Sequence, residues 1–242
     1  MHQSVASFPA ARRSFLSRLG AGLAAFGAGW GTAAPTFGAP AAHSAQTTSP
    51  SRWQPTRHAE DDWIDKIPGK HRTILDAVSA QGVGDALHYA SNIYETSASG
   101  YRLRHTDVAV IVCLRHAATP FGFNDAMWAK YGALISARAK FTDPKSHGPA
   151  LVNVFNSTEY RGLLSNGAAT FNALVAQGIH FAICDHATHG YASGLAQKNS
   201  SNAEATYKDL TDNLIANAHM VPSGIVAVGH AQERGYAYAY CG

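Results

Sequence analysis

The run Cys184-Asp185-His186-Ala187-Thr188-His189 gathers a thiol, a carboxylate and two imidazoles within a single turn of chain. A cysteine followed at once by a helix start lies where free amides and the helix dipole stabilise thiolate, which makes a nucleophile at neutral pH. The same sulfur with His186 and His189 forms a donor set suited to zinc or copper, with His180 four positions before it. Two histidines spaced by three need not converge on the sulfur, and loose histidine clusters are more often polar sites than metal centres. Elsewhere, Arg115 and His116 follow an apolar run and could hold a sulfur oxyanion or a carboxylate in the same crevice. The plainer alternatives are a packing cysteine for Cys184 and a solvated surface charge for Arg115.

These residues need elements to aim them. Val108 to Leu114 is continuously apolar and valine-rich, the pattern of a central parallel strand buried on both faces. Ile179 to Cys184 reads as a second such strand, Arg72 to Val78 as an earlier one, and His219 to Val221 and Tyr236 to Tyr240 as short later ones. Between them run helical patterns. One follows the glycine turn Gln81-Gly82-Val83-Gly84, carries Leu87, Ala90, Ile93 and Tyr94 on one face, and stops near Ser99-Gly100. Others begin at the Asn124-Asp125 cap and span Gly167 to Gln177, Asp185 to about Gln197, Ala203 to Asn217 and Ile225 to Arg234. Phe141 to Ser165 is polar and broken by Pro144, Gly148, Pro149 and Gly162, so it reads as a surface or subunit-contact excursion, with Leu151 to Phe155 as a short strand. Alternating strand and helix predicts a three-layer α/β/α sandwich with a mostly parallel sheet of about five strands.

At the amino terminus, Arg12-Arg13-Ser14-Phe15-Leu16 precedes the weakly apolar, glycine-rich run Leu19 to Ala34 and the small-x-small sites Ala39-Pro40-Ala41 and Ala42-His43-Ser44. That arrangement predicts twin-arginine export to the periplasm or beyond, with membrane contact only through the signal. The expected division is a signal peptide over 1–41, a polar tether and lead-in over 42–70, and one domain over 71–242. Of 19 basic residues the leader holds Arg12, Arg13 and Arg18, so the mature chain carries 16 basic against 16 acidic groups. With no basic cluster, a nucleic-acid partner is not expected. The three cysteines Cys113, Cys184 and Cys241 are too few and too far apart for a disulfide scaffold, though a Cys113–Cys184 pair stays open.

Gly178 to Cys184, Val221-Pro222-Ser223-Gly224-Ile225-Val226 and Ala231-Gln232-Glu233-Arg234-Gly235-Tyr236 together resemble the DsrE/DsrF-like family over roughly Arg72 to the C-terminus. The resemblance implies an α/β/α sandwich and frequent homo-oligomers. In the sulfur-relay members the cysteine ending that strand carries a persulfide, a role that falls on Cys184 alone here, with a sulfur donor or acceptor protein as partner. On this reading Cys184 is the catalytic residue and His116, Arg115, Asp185 and His186 bind substrate; no cofactor is required. Cys184, His186 and His189 remain the candidates for a metal. The rival readings are a periplasmic binding or scaffold protein of the same fold, tolerant of serine at 184, and a Cys/His metal-binding protein.

Other catalytic templates are missing. The sequence has no Gly-x-Ser-x-Gly elbow and no phosphate-binding Gly-x-x-x-x-Gly-Lys-Ser/Thr loop, and Gly82-Val83-Gly84 lacks a third glycine. His88 is expected on the surface, and Phe121, Phe123, Trp128 and Tyr131 in the core or an oligomer contact.

Overall fold

The protein is described by a computed structural model over residues 54–242; the twin-arginine motif, the apolar run and the cleavage sites lie outside the described residues. In chain order the elements are α1 (Asp62–Lys66), β1 (His71–Ala77), α2 (Ala80–Tyr101), β2 (Val108–Leu114), α3 (Asp125–Ala139), α4 (Phe171–Ala176), β3 (His180–Cys184), α5 (Asp185–Asn199), α6 (Ala203–Thr211), β4 (Ala218–Val221), α7 (Gly224–Glu233) and β5 (Ala237–Cys241). The strands form one sheet in the order β4-β3-β2-β1-β5, and every pairing is parallel. As its valine run requires, β2 is central and buried at every position. Among the described residues no helix is long and apolar enough to cross a membrane.

Crossover handedness decides the layers. From β1 to β4 each connection steps one strand the same way, so right-handed crossovers put α2 to α6 on one face. Their apolar stripes pack there against Leu75, Val110, Val112, Phe181 and Ile183. The return from β4 to β5 runs the opposite way and carries α7 to the other face, where Ala227, Val228 and Ala231 meet Ile74, Ile111, Cys113 and Ala182. The three-layer α/β/α sandwich is thereby complete, with its second outer layer thin.

Helix boundaries follow their caps. The Ser79 hydroxyl accepts from the Gly82 amide at 3.0 Å, and Asn124 accepts from Ala126 at 3.0 Å and Met127 at 3.4 Å. Gly82 and Gly84 therefore lie inside α2 rather than in a turn before it; a Cβ at Gly82 would stand 2.3 Å from the Cys241 carbonyl oxygen, so that glycine serves close packing of β5. Expected to start at Gly167, α4 begins only at Phe171, because Thr170 caps it through the Ala173 amide. The sixth helix ends at Thr211 instead of Asn217, since Leu214 forms a bridge with Phe123 and the Ile215 amide donates to the Gly122 carbonyl.

Two segments depart further from expectation. Leu151 to Phe155 is not a strand: residues Val154–Asn156 and Thr158–Tyr160 are 3-10 turns. The segment lies against α3, and its amides go to side chains of that helix instead of to a strand, Ala150 donating to the Ser136 hydroxyl at 3.0 Å and Asn153 to the Asp125 carboxylate at 2.7 Å. Nor is it only a surface excursion: many of its residues are exposed, but Ala150, Val154, Phe155 and Tyr160 belong to the main core. Asn153 ties it down by donating its side-chain amide to the carbonyls of Phe121 at 2.8 Å and Phe123 at 3.0 Å. Gly132 makes the approach possible, for a Cβ there would sit 2.1 Å from the Ala150 oxygen. The lead-in before residue 70 is likewise structured, with Ile64 and Ile67 buried beneath α7.

Candidate functional site

The C-terminal ends of the parallel strands bring Arg115, His116, Cys184, Asp185 and His186 to one edge, as the sequence predicts, and then divide them between the two faces. Because successive strand residues alternate, Cys113 and Cys184 face α7. All three cysteines are buried and unpaired. Burial pushes the Cys113 thiol far up, helped by the nearby Asp76 charge and by Cys184, while burial lifts Cys241 to about 11. Cys184 is only 5% exposed and its thiol has no hydrogen-bond partner among the described residues. A sulfur carrier must present its sulfur to a donor and an acceptor; these surroundings do not.

Arg115 turns away from the crevice. Its guanidinium forms a two-point ion pair with Asp76, Nε to Oδ1 at 2.7 Å and Nη2 to Oδ2 at 3.0 Å, and the Tyr238 hydroxyl donates to the same carboxylate at 3.0 Å. The bond to Asp76 raises the Arg115 pKa. Asp185 is also engaged: it accepts from the Tyr207 hydroxyl at 2.6 Å and lies 3.5 Å from His189 Nε2, whose ring stacks on Tyr207 at 4.0 Å between centroids. These contacts tie α5 to α6 and aim His189 away from the sulfur. Among the described residues no group of three or more His, Cys, Asp or Glu side chains is placed to hold a metal ion.

His116 and His186 do come together, lining an open cleft of about 550 Å³ with Arg138, Gly190 and Tyr191. His116 adopts a left-handed backbone with φ of 61°, a conformation that costs a residue with a Cβ about 1 kcal/mol and turns the chain sharply at the end of β2. Arg138, from the last turn of α3, lies over the Tyr191 ring at 4.8 Å. Its guanidinium rests in a notch on α5: a Cβ at either Gly190 or Gly194 would come within 3.0 Å of it. Among the described residues Arg138 has no acidic partner. An exposed guanidinium that rests on the middle of α5, has no acidic partner and lines one cleft with two imidazoles is an arrangement that can hold an anion. Sequence reasoning missed Arg138; the available signal was Gly190-x-x-x-Gly194, two small residues one helical turn apart.

A separate histidine pair lies under α1. His180 Nδ1 and His219 Nε2 are 2.9 Å apart, and Trp63 stacks on His219 at 4.0 Å with planes 6° apart. Burial lowers both pKa values, and the neighbouring His180 helps push His219 down to about 4. In the unfolded chain both rings titrate near 6.5, so on acidification the unfolded state takes up protons first. The pair's stabilisation is therefore complete above about pH 6.5 and is lost as the pH falls through about 4. The expected loss is of order 1 kcal/mol after allowing for solvent screening of partly exposed rings. Urea midpoints between pH 7 and 4.5 check it: His219→Phe, which keeps the stack, flattens the profile relative to the natural protein.

Comparison with known proteins adds little to this geometry. No family model and no curated protein matches the chain. A solved structure that is similar belongs to a protein of unknown function from Methanobacterium thermoautotrophicum, at 15% identity and a TM-score of 0.35, covering 71% of this chain and 99% of that one.

Proposed function

We propose that this chain is an exported, DsrE-like α/β/α protein that binds a small anion, an oxyanion or carboxylate, without turning it over. The observation carrying this reading is Arg138, held by the α5 notch and Tyr191 against the cleft with its charge unpaired. His116 and His186 flank it and supply neutral donors or, when protonated, further positive charge. The twin-arginine motif supports a place outside the cytoplasm. Assembly into a homo-oligomer is part of the proposal, supported by Ile225, Val226, Tyr238 and Tyr240, large apolar side chains left exposed on the thinly covered face.

Calorimetric titration with thiosulfate, phosphate and acetate tests the binding reading. At least one anion is expected to bind saturably, and Arg138→Gln to weaken it by about tenfold, the worth of one charge-assisted hydrogen-bond pair. Cys184→Ser is expected to bind as the natural protein does. Persulfide carriage through Cys184 is the competing proposal, and intact mass measured without reductant separates the two. A sulfur-sized increment present in the natural protein and absent from Cys184→Ser would replace the binding reading with the carrier one.

A further inference from the structure

We propose that the free edge of β5 pairs with the same edge of a second copy of this chain, antiparallel about Ala239, so that the two sheets become one. β5 ends the sheet and pairs with β1 alone, in continuous register from Thr73 opposite Ala237 to Ala77 opposite Cys241, without a bulge. Among the described residues no backbone group outside β1 bonds to it, so its outward amides and carbonyls stand unpaired. Natural edges are ordinarily blunted by charge, proline, a bulge or a covering loop. Ala237-Tyr238-Ala239-Tyr240-Cys241 carries neither charge nor proline, and Ala237, Tyr238 and Tyr240 are exposed. The opposite edge, β4, is buried or partly buried throughout, and Trp63 of α1 stacks on its His219.

The order of residues in the strand selects its own copy as the partner. A two-fold axis through Ala239 sets Tyr238 opposite the partner's Tyr240 and Ala237 opposite the partner's Cys241. Tyr238 and Tyr240 stand in register with Ile74 and Asp76, on the sheet face that α7 covers thinly. Antiparallel pairing keeps the tyrosines of both copies on that one face, as directly facing aromatic pairs of the kind that stabilise sheets. Ile225, 57% exposed at the start of α7, extends the apolar surface on the same side. On the other face Ala237, Ala239 and Cys241 are all small. Charge agrees with this occupant, because an uncharged strand meets no repulsion from its copy and offers an ionic partner nothing to read. The contact uses the same surface on both copies and so closes at two. A pair of five-residue strands is smaller than the roughly 800 Å² per partner of a standard interface, so the dimer is expected to be weak, with a Kd of about 1–100 μM.

This contact rests on the homo-oligomer part of the proposed function and names the surface that makes it. Sedimentation velocity across that concentration range tests it, with the natural protein expected to pass from monomer to dimer. Tyr240→Lys, at a 57% exposed side chain with no hydrogen bond among the described residues, is expected to weaken the dimer at least about tenfold and to keep its thermal midpoint. Leu151→Lys, at an equally exposed apolar position elsewhere, is expected to associate as the natural protein does. Register is read with Ala239→Cys and an added thiol oxidant: facing residues of antiparallel strands have Cα atoms roughly 4.5–5.5 Å apart, within the disulfide range. A covalent dimer is expected from that variant and none from the natural protein, whose three cysteines are buried. The edge contact is overturned by a Tyr240→Lys protein that dimerises unchanged, by a dimer lost in Leu151→Lys, or by a folded Ala239→Cys that does not cross-link where the natural protein dimerises. Each of those outcomes leaves an oligomer with a different contact, whereas a natural protein that stays monomeric throughout overturns the oligomer itself.

Discussion

Asp76→Ala is expected to destabilise the protein by about 3–5 kcal/mol, because it removes one partner of a buried ion pair and leaves the other without compensation. Asp76 is fully buried near the end of β1, with Cys113 of β2 and Tyr240 of β5 as its register neighbours. Its carboxylate accepts two hydrogen bonds from Arg115 and one from Tyr238, which joins the ends of three adjacent strands. Without it the Arg115 guanidinium, 21% exposed, loses its counter-charge where water reaches it poorly. Urea unfolding of Asp76→Ala, Arg115→Met and the combined Asp76→Leu/Arg115→Met protein separates the terms. Each single change should lower the midpoint strongly, and the double change should recover much of the loss, since an apolar pair of similar volume is often neutral in such a site. Additive losses would show that the two groups do not depend on each other. The pair also bears on function: an arginine spent on a buried aspartate is a structural residue, so anion binding in the cleft should not need it.

The second large effect is Phe155→Ala, expected to cost about 3–5 kcal/mol. Phe155 is 1% exposed and meets Phe121 edge to face at 5.1 Å, with Phe171 at 6.4 Å. It plugs residues 141–165 into the space between the turn that carries Phe121 and α4, so its truncation leaves a cavity that backbone held by Asn153 and Gly132 closes only in part. Thermal unfolding of Phe155→Ala beside the exposed control Leu151→Ala makes the comparison, the control moving by less than about 0.5 kcal/mol. Equal small effects would mean that the segment is the surface excursion its polar composition predicts.

That segment also shows how far sequence reasoning reaches. Pattern reading finds strands and long helices because periodicity reports burial directly: continuous valines demand a central strand, and Asn124 marks the start of α3 by a local hydrogen bond. It misreads residues 141–165 because their anchors are isolated apolar residues among polar ones, buried by contacts with α3 and with the chain before it. The lead-in helix α1 is missed for the same reason, with Trp63, Ile64 and Ile67 set among charges.

The candidate site divides along the same line. Strand-end residues were legible because parallel strands deliver their ends to one edge, whatever lies around them. His116 and His186 meet in the cleft on that account. Whether a side chain at that edge faces ligand or core is settled by the next layer. Arg115 precedes His116 in sequence, yet finds a buried aspartate on β1, and Cys184 disappears beneath the thin outer layer. Arg138 carries no local motif; its role depends on neighbours far away in the chain.

The sequence by itself determined the five sheet strands and the longer helices between them and, through their alternation, the parallel α/β/α sandwich, because propensity, periodicity and chirality are local properties; α1 and the segment around Leu151 to Phe155 escaped it. Only the tertiary structure decided which charges pair, which thiols are buried and which side chains line the cleft. Those outcomes depend on desolvation and distance between residues far apart in sequence, which no spacing along the chain encodes.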